Sequence, residues 1–118
     1  MNTKHVLVTG SSRGIGRAIA LRLVQDGWKV AIHYAGNEEA AMEVAREVAS
    51  TISLRNNGGG GLLGVYQADL SDPEQAVALL KRVTADHGLA ALVNNAGVYR
   101  ATDFLNDSEE ETEREGNA

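Results

Sequence analysis

The residues whose types and spacing could do chemistry are concentrated near the start of the chain, in Thr9-Gly10-Ser11-Ser12-Arg13-Gly14-Ile15-Gly16. A bound pyrophosphate needs a tight turn, backbone that it can approach closely, and helix N–H groups without intrahelical partners aimed at negative charge. Gly10 permits the turn, while Gly14 and Gly16 remove Cβ atoms where the backbone would meet a ligand or the sheet. The spacing is G-x-x-x-G-x-G rather than G-x-G-x-x-G, and glycines alone would equally suit a plain strand-to-helix turn. Position favours the phosphate reading, because the glycines lie between an apolar run and an amphipathic one. Arg13 reads either as a solvated side chain or as a phosphate partner. A cation at the positive end of a helix is locally unfavourable, a cost that makes sense if it faces an anion. His5, His33 and His87 are far apart on different elements and do not form a metal pattern. No grouping of Ser, His and Asp has a context for nucleophilic catalysis.

Short β-rich runs alternating with amphipathic stretches must position this loop. Lys4 to Thr9 reads as a first strand, ended by Gly10. From Gly14 to Asp26 the residues Ile15, Ile19, Ala20, Leu23 and Val24 share one half of a helical wheel, with Arg17, Arg22 and Gln25 opposite, and Gly27 stops the helix. Lys29 to Tyr34 is a second strand. Asn37 can cap a second helix with Glu38 and Glu39 in its first turn and Ala41, Val44, Ala45, Val48 and Ile52 on its buried side. Ser53 to Gly61, with Asn56-Asn57 and four consecutive glycines, reads as a loop. Leu62 to Gln67 is a third strand. Ser71-Asp72-Pro73-Glu74 starts a third helix that carries Val77, Leu80 and Val83 and stops at Gly88. Leu89 to Val93, wholly apolar, reads as a fourth strand buried on both faces.

Strands alternating with helices imply parallel pairing through right-handed crossovers. The expected fold class is α/β, a doubly wound parallel sheet of Rossmann type in the order 3-2-1-4, truncated after the fourth strand. The first two helices are expected on one face of that sheet and the third on the other.

TGSSRGIG in this setting resembles the cofactor loop of the short-chain dehydrogenase/reductase family. Two further segments match in register: Ala68-Asp69-Leu70 after the third strand and Asn94-Asn95-Ala96-Gly97 after the fourth. Val30 to Ala41 and LVNNAGVYR look most like the 3-oxoacyl-(acyl carrier protein) reductase branch, and the resemblance runs over about residues 4–110. It implies a nicotinamide dinucleotide held by Gly10, Ser12, Arg13, Gly14, Ile15 and Gly16 at the loop. Asp69 and Leu70 would then lie at the adenine, and Asn94, Ala96 and Gly97 beside the ribose, with Asn95 serving mainly structure. Read without the resemblance, Asp69 could simply close a strand, and Asn94 and Asn95 could be turn residues. A free ribose 2′-hydroxyl usually meets an acidic residue about 20 positions after the glycines. Here the second strand ends His33-Tyr34-Ala35-Gly36-Asn37, and Glu38 and Glu39 are explained as first-turn helix acids. In the family, a basic residue at the position of Arg13 accompanies the 2′-phosphorylated cofactor. NADP(H) is therefore favoured over NAD(H).

The same family implies a catalytic Tyr with a Lys four residues later. Tyr34 is followed at that distance by Glu38, Tyr66 by Leu70 and Tyr99 by Asp103. No catalytic residue is therefore assigned. The chain reads as a reductase-like cofactor-binding fragment, expected to be inactive alone. Two alternatives stand beside that reading: a regulatory or interaction module that pairs with another chain through its open sheet edge, and an enzyme with an unfamiliar proton donor. Partners expected are the cofactor and either a second copy or a full-length relative.

Composition agrees. The 118 residues include no Cys, which excludes disulfides and thiol chemistry, and 43% are apolar, as in a globular chain. The net charge of −5 argues against a nucleic-acid surface. Residues 1–107 hold 10 basic and 11 acidic side chains and form the expected Rossmann-type half domain. Residues 108–118 carry the remaining charge of −4 and read as a disordered acidic tail. No apolar run suits a membrane span or a signal core, so a cytoplasmic location is expected.

Overall fold

The computed structural model describes residues 4–55 and 60–95. Four strands, β1 (His5–Val8), β2 (Lys29–Tyr34), β3 (Gly61–Gln67) and β4 (Ala91–Val93), form one parallel sheet in the order β3-β2-β1-β4. Helices α1 (Gly14–Gln25), α2 (Glu38–Arg55) and α3 (Pro73–His87) make the crossovers. The expected doubly wound α/β order is therefore present. Val6, Val8, Val30 and Ile32 pack beneath Ala20 and Val24 of α1 and Ala41, Val44 and Val48 of α2. On the opposite face, Leu7 and Ala31 pack with Tyr66, Ala68 and Leu70 against Ala76, Leu79 and Val83 of α3. Successive strand side chains point to opposite faces, so helices above and below make β1 and β2 apolar throughout their centres.

Local chemistry sets most boundaries. Asn37 Oδ1 accepts the Ala40 amide at 3.0 Å at the start of α2, and Asp72 Oδ1 accepts the Glu74 amide at 3.0 Å just before Pro73 opens α3. Gly27 and Gly88, both at positive φ, follow α1 and α3.

The structure moves three boundaries and shows which of the helical positions are buried. Helix α2 runs through Ser53 to Arg55, none of which breaks a helix, and Gly61 already pairs with Lys29 in β3. In α3 the buried positions are Ala76, Leu79 and Val83, while Val77 and Leu80 are half-buried. The helix turns its small Ala76 to the sheet, and a small side chain allows close approach. Ile15 is 72% exposed, so the first turn of α1 turns it away from the core while Gly16 beside it is buried. Strand β4 covers only Ala91–Val93, and all three residues are half-buried, because it is the outermost strand among those described. Expectations for the Ile52 side chain, for Asn56-Asn57 and for residues 108–118 lie outside the described residues. Among the described residues no helix is long and apolar enough to cross a membrane.

Candidate functional site

Parallel strands all end on one side of the sheet, so the loops after β1, β2 and β3 gather at a single edge. There they enclose a cleft of about 720 Å³ lined by Gly10, Ser12, Arg13 and Gly14 from the first loop. Tyr34 to Asn37 line it from the second, Asp69 to Ser71 from the third, and His33 and Asn95 complete it. Its size is in the range of small-molecule and cofactor sites, about 300–1,000 Å³.

The first loop is held by its glycines and by its neighbours. Gly10 and Gly14 take φ of +64° and +63°, the left-handed region that residues with a Cβ avoid. No protein atom lies within 4 Å of the Cβ that Gly14 lacks, so the space there is open. At Gly16 the reason for glycine differs. An added Cβ would lie 2.2 Å from the Gly10 carbonyl oxygen and 2.5 Å from Asn95 Nδ2. Gly16 therefore lets α1 seat directly against the loop. Arg13 is the residue before α1, with extended backbone, an exposed side chain and no side-chain cap on the helix. The first turn of α1 holds no acidic residue, so its positive end is not answered from within the helix.

Two hydrogen-bond sets brace this loop. Thr9 ties it to the segment after β4. Its hydroxyl accepts the Asn95 amide at 2.7 Å and lies within donating distance of the Val93 carbonyl, 3.3 Å, and of Asn94 Oδ1, 3.1 Å. On the other side Ser11, fully buried, donates its amide to the His33 carbonyl at 3.1 Å and accepts the His33 amide on Oγ at 2.9 Å. The His33 ring reaches the Gly10 amide at 2.8 Å and the Ala68 carbonyl at 2.9 Å. Burial pushes the His33 imidazole below its ordinary value, partly offset by the bond to Ala68.

Asp69 sits where β3 gives way to α3, exposed on the cleft. Its Oδ1 accepts the Ser71 hydroxyl at 2.6 Å and the Ser71 amide at 3.0 Å, and these bonds hold its carboxyl below the usual range. Its own amide donates to Gln75 Oε1 at 2.8 Å. The residue thus closes the strand and presents an anion to the cleft, and the two readings of it are compatible.

Gly10, Ser12, Arg13, Gly14, Asp69 and Leu70 accordingly come together on one cleft. Gly16 lies beneath the loop, Ile15 projects from the first turn of α1, and Asn94 is bonded to Thr9. Ala96 and Gly97 lie outside the described residues. Thr9, Ser11 and the imidazole of His33 are structural parts of the site that motif reading passed over. The available signal was a His in the otherwise apolar run KVAIHY, since a buried imidazole needs partners for both nitrogens. Among the described residues no group of three or more His, Cys, Asp or Glu side chains could hold a metal ion.

A parallel sheet in the order β3-β2-β1-β4, with a glycine loop between β1 and α1 opening on a cleft at the strand ends, defines a Rossmann-type α/β fold. Residues 4–117 match the family model described as short chain dehydrogenase, and the chain belongs to that family. It is 40% identical over 110 residues to the 3-oxoacyl-[acyl-carrier-protein] reductase FabG of Staphylococcus aureus, covering 92% of this chain and 42% of that protein. The uncharacterized oxidoreductase YgfF of Escherichia coli is 48% identical over 93 residues, 78% of this chain and 34% of its own. Among solved structures, a dehydrogenase/reductase from Sinorhizobium meliloti superposes with a TM-score of 0.69 at 35% identity, over 83% of this chain and 36% of that one. Acetoin dehydrogenase YohF from Salmonella typhimurium gives 0.67 at 36% identity, over 81% of this chain and 37% of that one. The chain thus spans about two-fifths or less of the length of these relatives.

Proposed function

We propose that residues 1–107 are the NADP(H)-binding half domain of a short-chain oxidoreductase. The observation that carries this reading is the uncapped N-terminus of α1, with Arg13 before it and open space over Gly14, facing a cleft walled by Tyr34–Asn37 and Asp69–Ser71. The cofactor would supply or accept a hydride. Gly10, Ser12 and Gly14 would hold its pyrophosphate, with Ile15 and Gly16 completing the turn. Asp69 and Leu70 would take the adenine, and Asn94, Ala96 and Gly97 the ribose beside the nicotinamide. Arg13 would meet a 2′-phosphate, because its charge has no acidic residue in the first turn of α1 to answer it. The reading places the protein in the cytoplasm.

The 118 residues hold no Tyr followed at the fourth position by Lys, so the proposed activity of this chain is binding without turnover. About 4 kcal/mol of lost contacts corresponds to a thousandfold in affinity, so binding in the micromolar to millimolar range is expected. Calorimetric titration of wild type and Arg13→Glu with NADPH and NADH tests the assignment. Charge-assisted bonds contribute about 1.5–3 kcal/mol, so the substitution should weaken NADPH by at least about tenfold and NADH much less. An equal effect on both would remove the case for a 2′-phosphate at Arg13.

The incomplete burial of β4 favours an alternative reading, pairing with another copy or with a longer relative. Ala91, Leu92 and Val93 are half-buried in the outermost described strand, and open strand edges template further pairing. Leu92→Lys is expected to change the assembly state seen by light scattering. A monodisperse wild-type monomer at high concentration, with β4 amides protected from exchange as well as those of β1, would contradict pairing.

A further inference from the structure

His33 is 2% exposed, yet both ring nitrogens have partners whose chemistry admits one arrangement. The Gly10 amide can only donate, so Nδ1, 2.8 Å away, accepts and carries no proton. The Ala68 carbonyl can only accept, so Nε2, 2.9 Å away, carries the proton. The neutral Nε2–H tautomer therefore joins the turn after β1 to the end of β3. These are two walls of the cleft, because Gly10 lines one and Asp69, next to Ala68, lines the other. The Gly10 peptide is also the group against which Gly16 packs, so a shift at the imidazole reaches the seat of α1. A doubly protonated ring would turn Nδ1 into a donor facing the Gly10 amide, leaving two donors in conflict at hydrogen-bond distance.

We propose that His33 is a positioning residue for the dinucleotide site, holding the Gly10 turn and the Asp69 wall in binding register as a neutral imidazole and releasing them when protonated. The proposal rests on the dinucleotide reading above. Asp69 and Tyr66 keep their charge state while His33 titrates. Asp69 is anionic to below the usual carboxylate range because Ser71 bonds to it. Tyr66, the register partner of His33 in β3, is pushed up to about 12 by burial and by Asp86, to which it donates, with Arg82 over its ring. Arg13 and Tyr34 are the other titratable side chains on the cleft.

The first measurement is NMR on the wild-type chain. Ring nitrogen shifts should report the Nε2–H tautomer near pH 8, and the Gly10, Ser12 and Gly14 amides should move on acidification with the same midpoint as the His33 ring. Independent titration of the ring and the loop would overturn the proposal. The second is affinity for NADP⁺ between about pH 8 and pH 5 for wild type and His33→Asn, whose side-chain oxygen can still accept from Gly10 and does not titrate. The cofactor's own 2′-phosphate titrates in both proteins, so the difference between them reads His33. Wild type should lose up to about tenfold more per pH unit below the His33 midpoint, while the ratio between proteins stays constant above it. Parallel profiles would overturn the role of His33. Failure of wild type to bind at about pH 8 would instead overturn the dinucleotide reading itself.

Discussion

Replacing Gly16 by alanine is expected to abolish dinucleotide binding and to destabilise the fold by about 3 kcal/mol or more, the upper part of the overpacking range. The new Cβ would lie 2.2 Å from the Gly10 carbonyl oxygen and 2.8 Å from its carbonyl carbon, distances that no rotamer relieves because both atoms are backbone. Either α1 moves off the sheet or the Gly10 turn moves, and the second change breaks the bond from the Gly10 amide to His33. Gly14→Ala is the control. It meets no atom within 4 Å, so its stability cost is torsional, about 1–2 kcal/mol for a left-handed residue. Urea denaturation followed by circular dichroism, with NADPH titration of whatever folds, separates the two. Gly16→Ala should lose stability and binding together, whereas Gly14→Ala should stay folded and lose binding beyond its stability cost. Equal stability losses would show that close packing at Gly16 is not what excludes a side chain there.

This contrast also shows what could be read from residues alone. Glycine at both positions marked a loop that backbone must approach, and strand–helix alternation was enough for the β3-β2-β1-β4 order. The separate reasons for Gly14 and Gly16 were not legible, because one is a torsion and the other a contact with residues six and seventy-nine positions away in the chain. A helical wheel has the same limit. In α3 the apolar stripe of Ala76, Val77, Leu79, Leu80 and Val83 is wide, and only the sheet decides that Ala76 and Leu79 face it. Ile15 satisfies the wheel of α1 and is nevertheless exposed. His33 was visible as a residue but its bracing role was not, since its partners Gly10 and Ala68 come from two other crossovers.

The isolated 118-residue chain is expected to show no NADPH-dependent carbonyl reduction above background. A positioned general acid typically contributes about 10² to 10⁴ in rate, and fixing the reactants in orientation up to about 7–11 kcal/mol. Neither is available from the tyrosines present. Tyr34 lines the cleft, but Glu38 rather than Lys follows four residues later, so the pairing the family's chemistry requires is missing there. Tyr66 donates to Asp86 at 2.8 Å and is pushed up to about 12, away from the near-neutral value that suits a proton donor. Its hydroxyl is directed to α3 on the far face of the sheet from α1 and α2. Tyr99 lies outside the described residues and is followed at the fourth position by Asp103, whose charge is opposite to the one required. Absorbance at the nicotinamide band with a panel of oxoacyl thioesters checks the expectation. Oxidation of NADPH that survives in Tyr34→Phe and Tyr66→Phe but is lost in Tyr99→Phe would show that the chain carries its own proton donor, and the binding-without-turnover reading would fall.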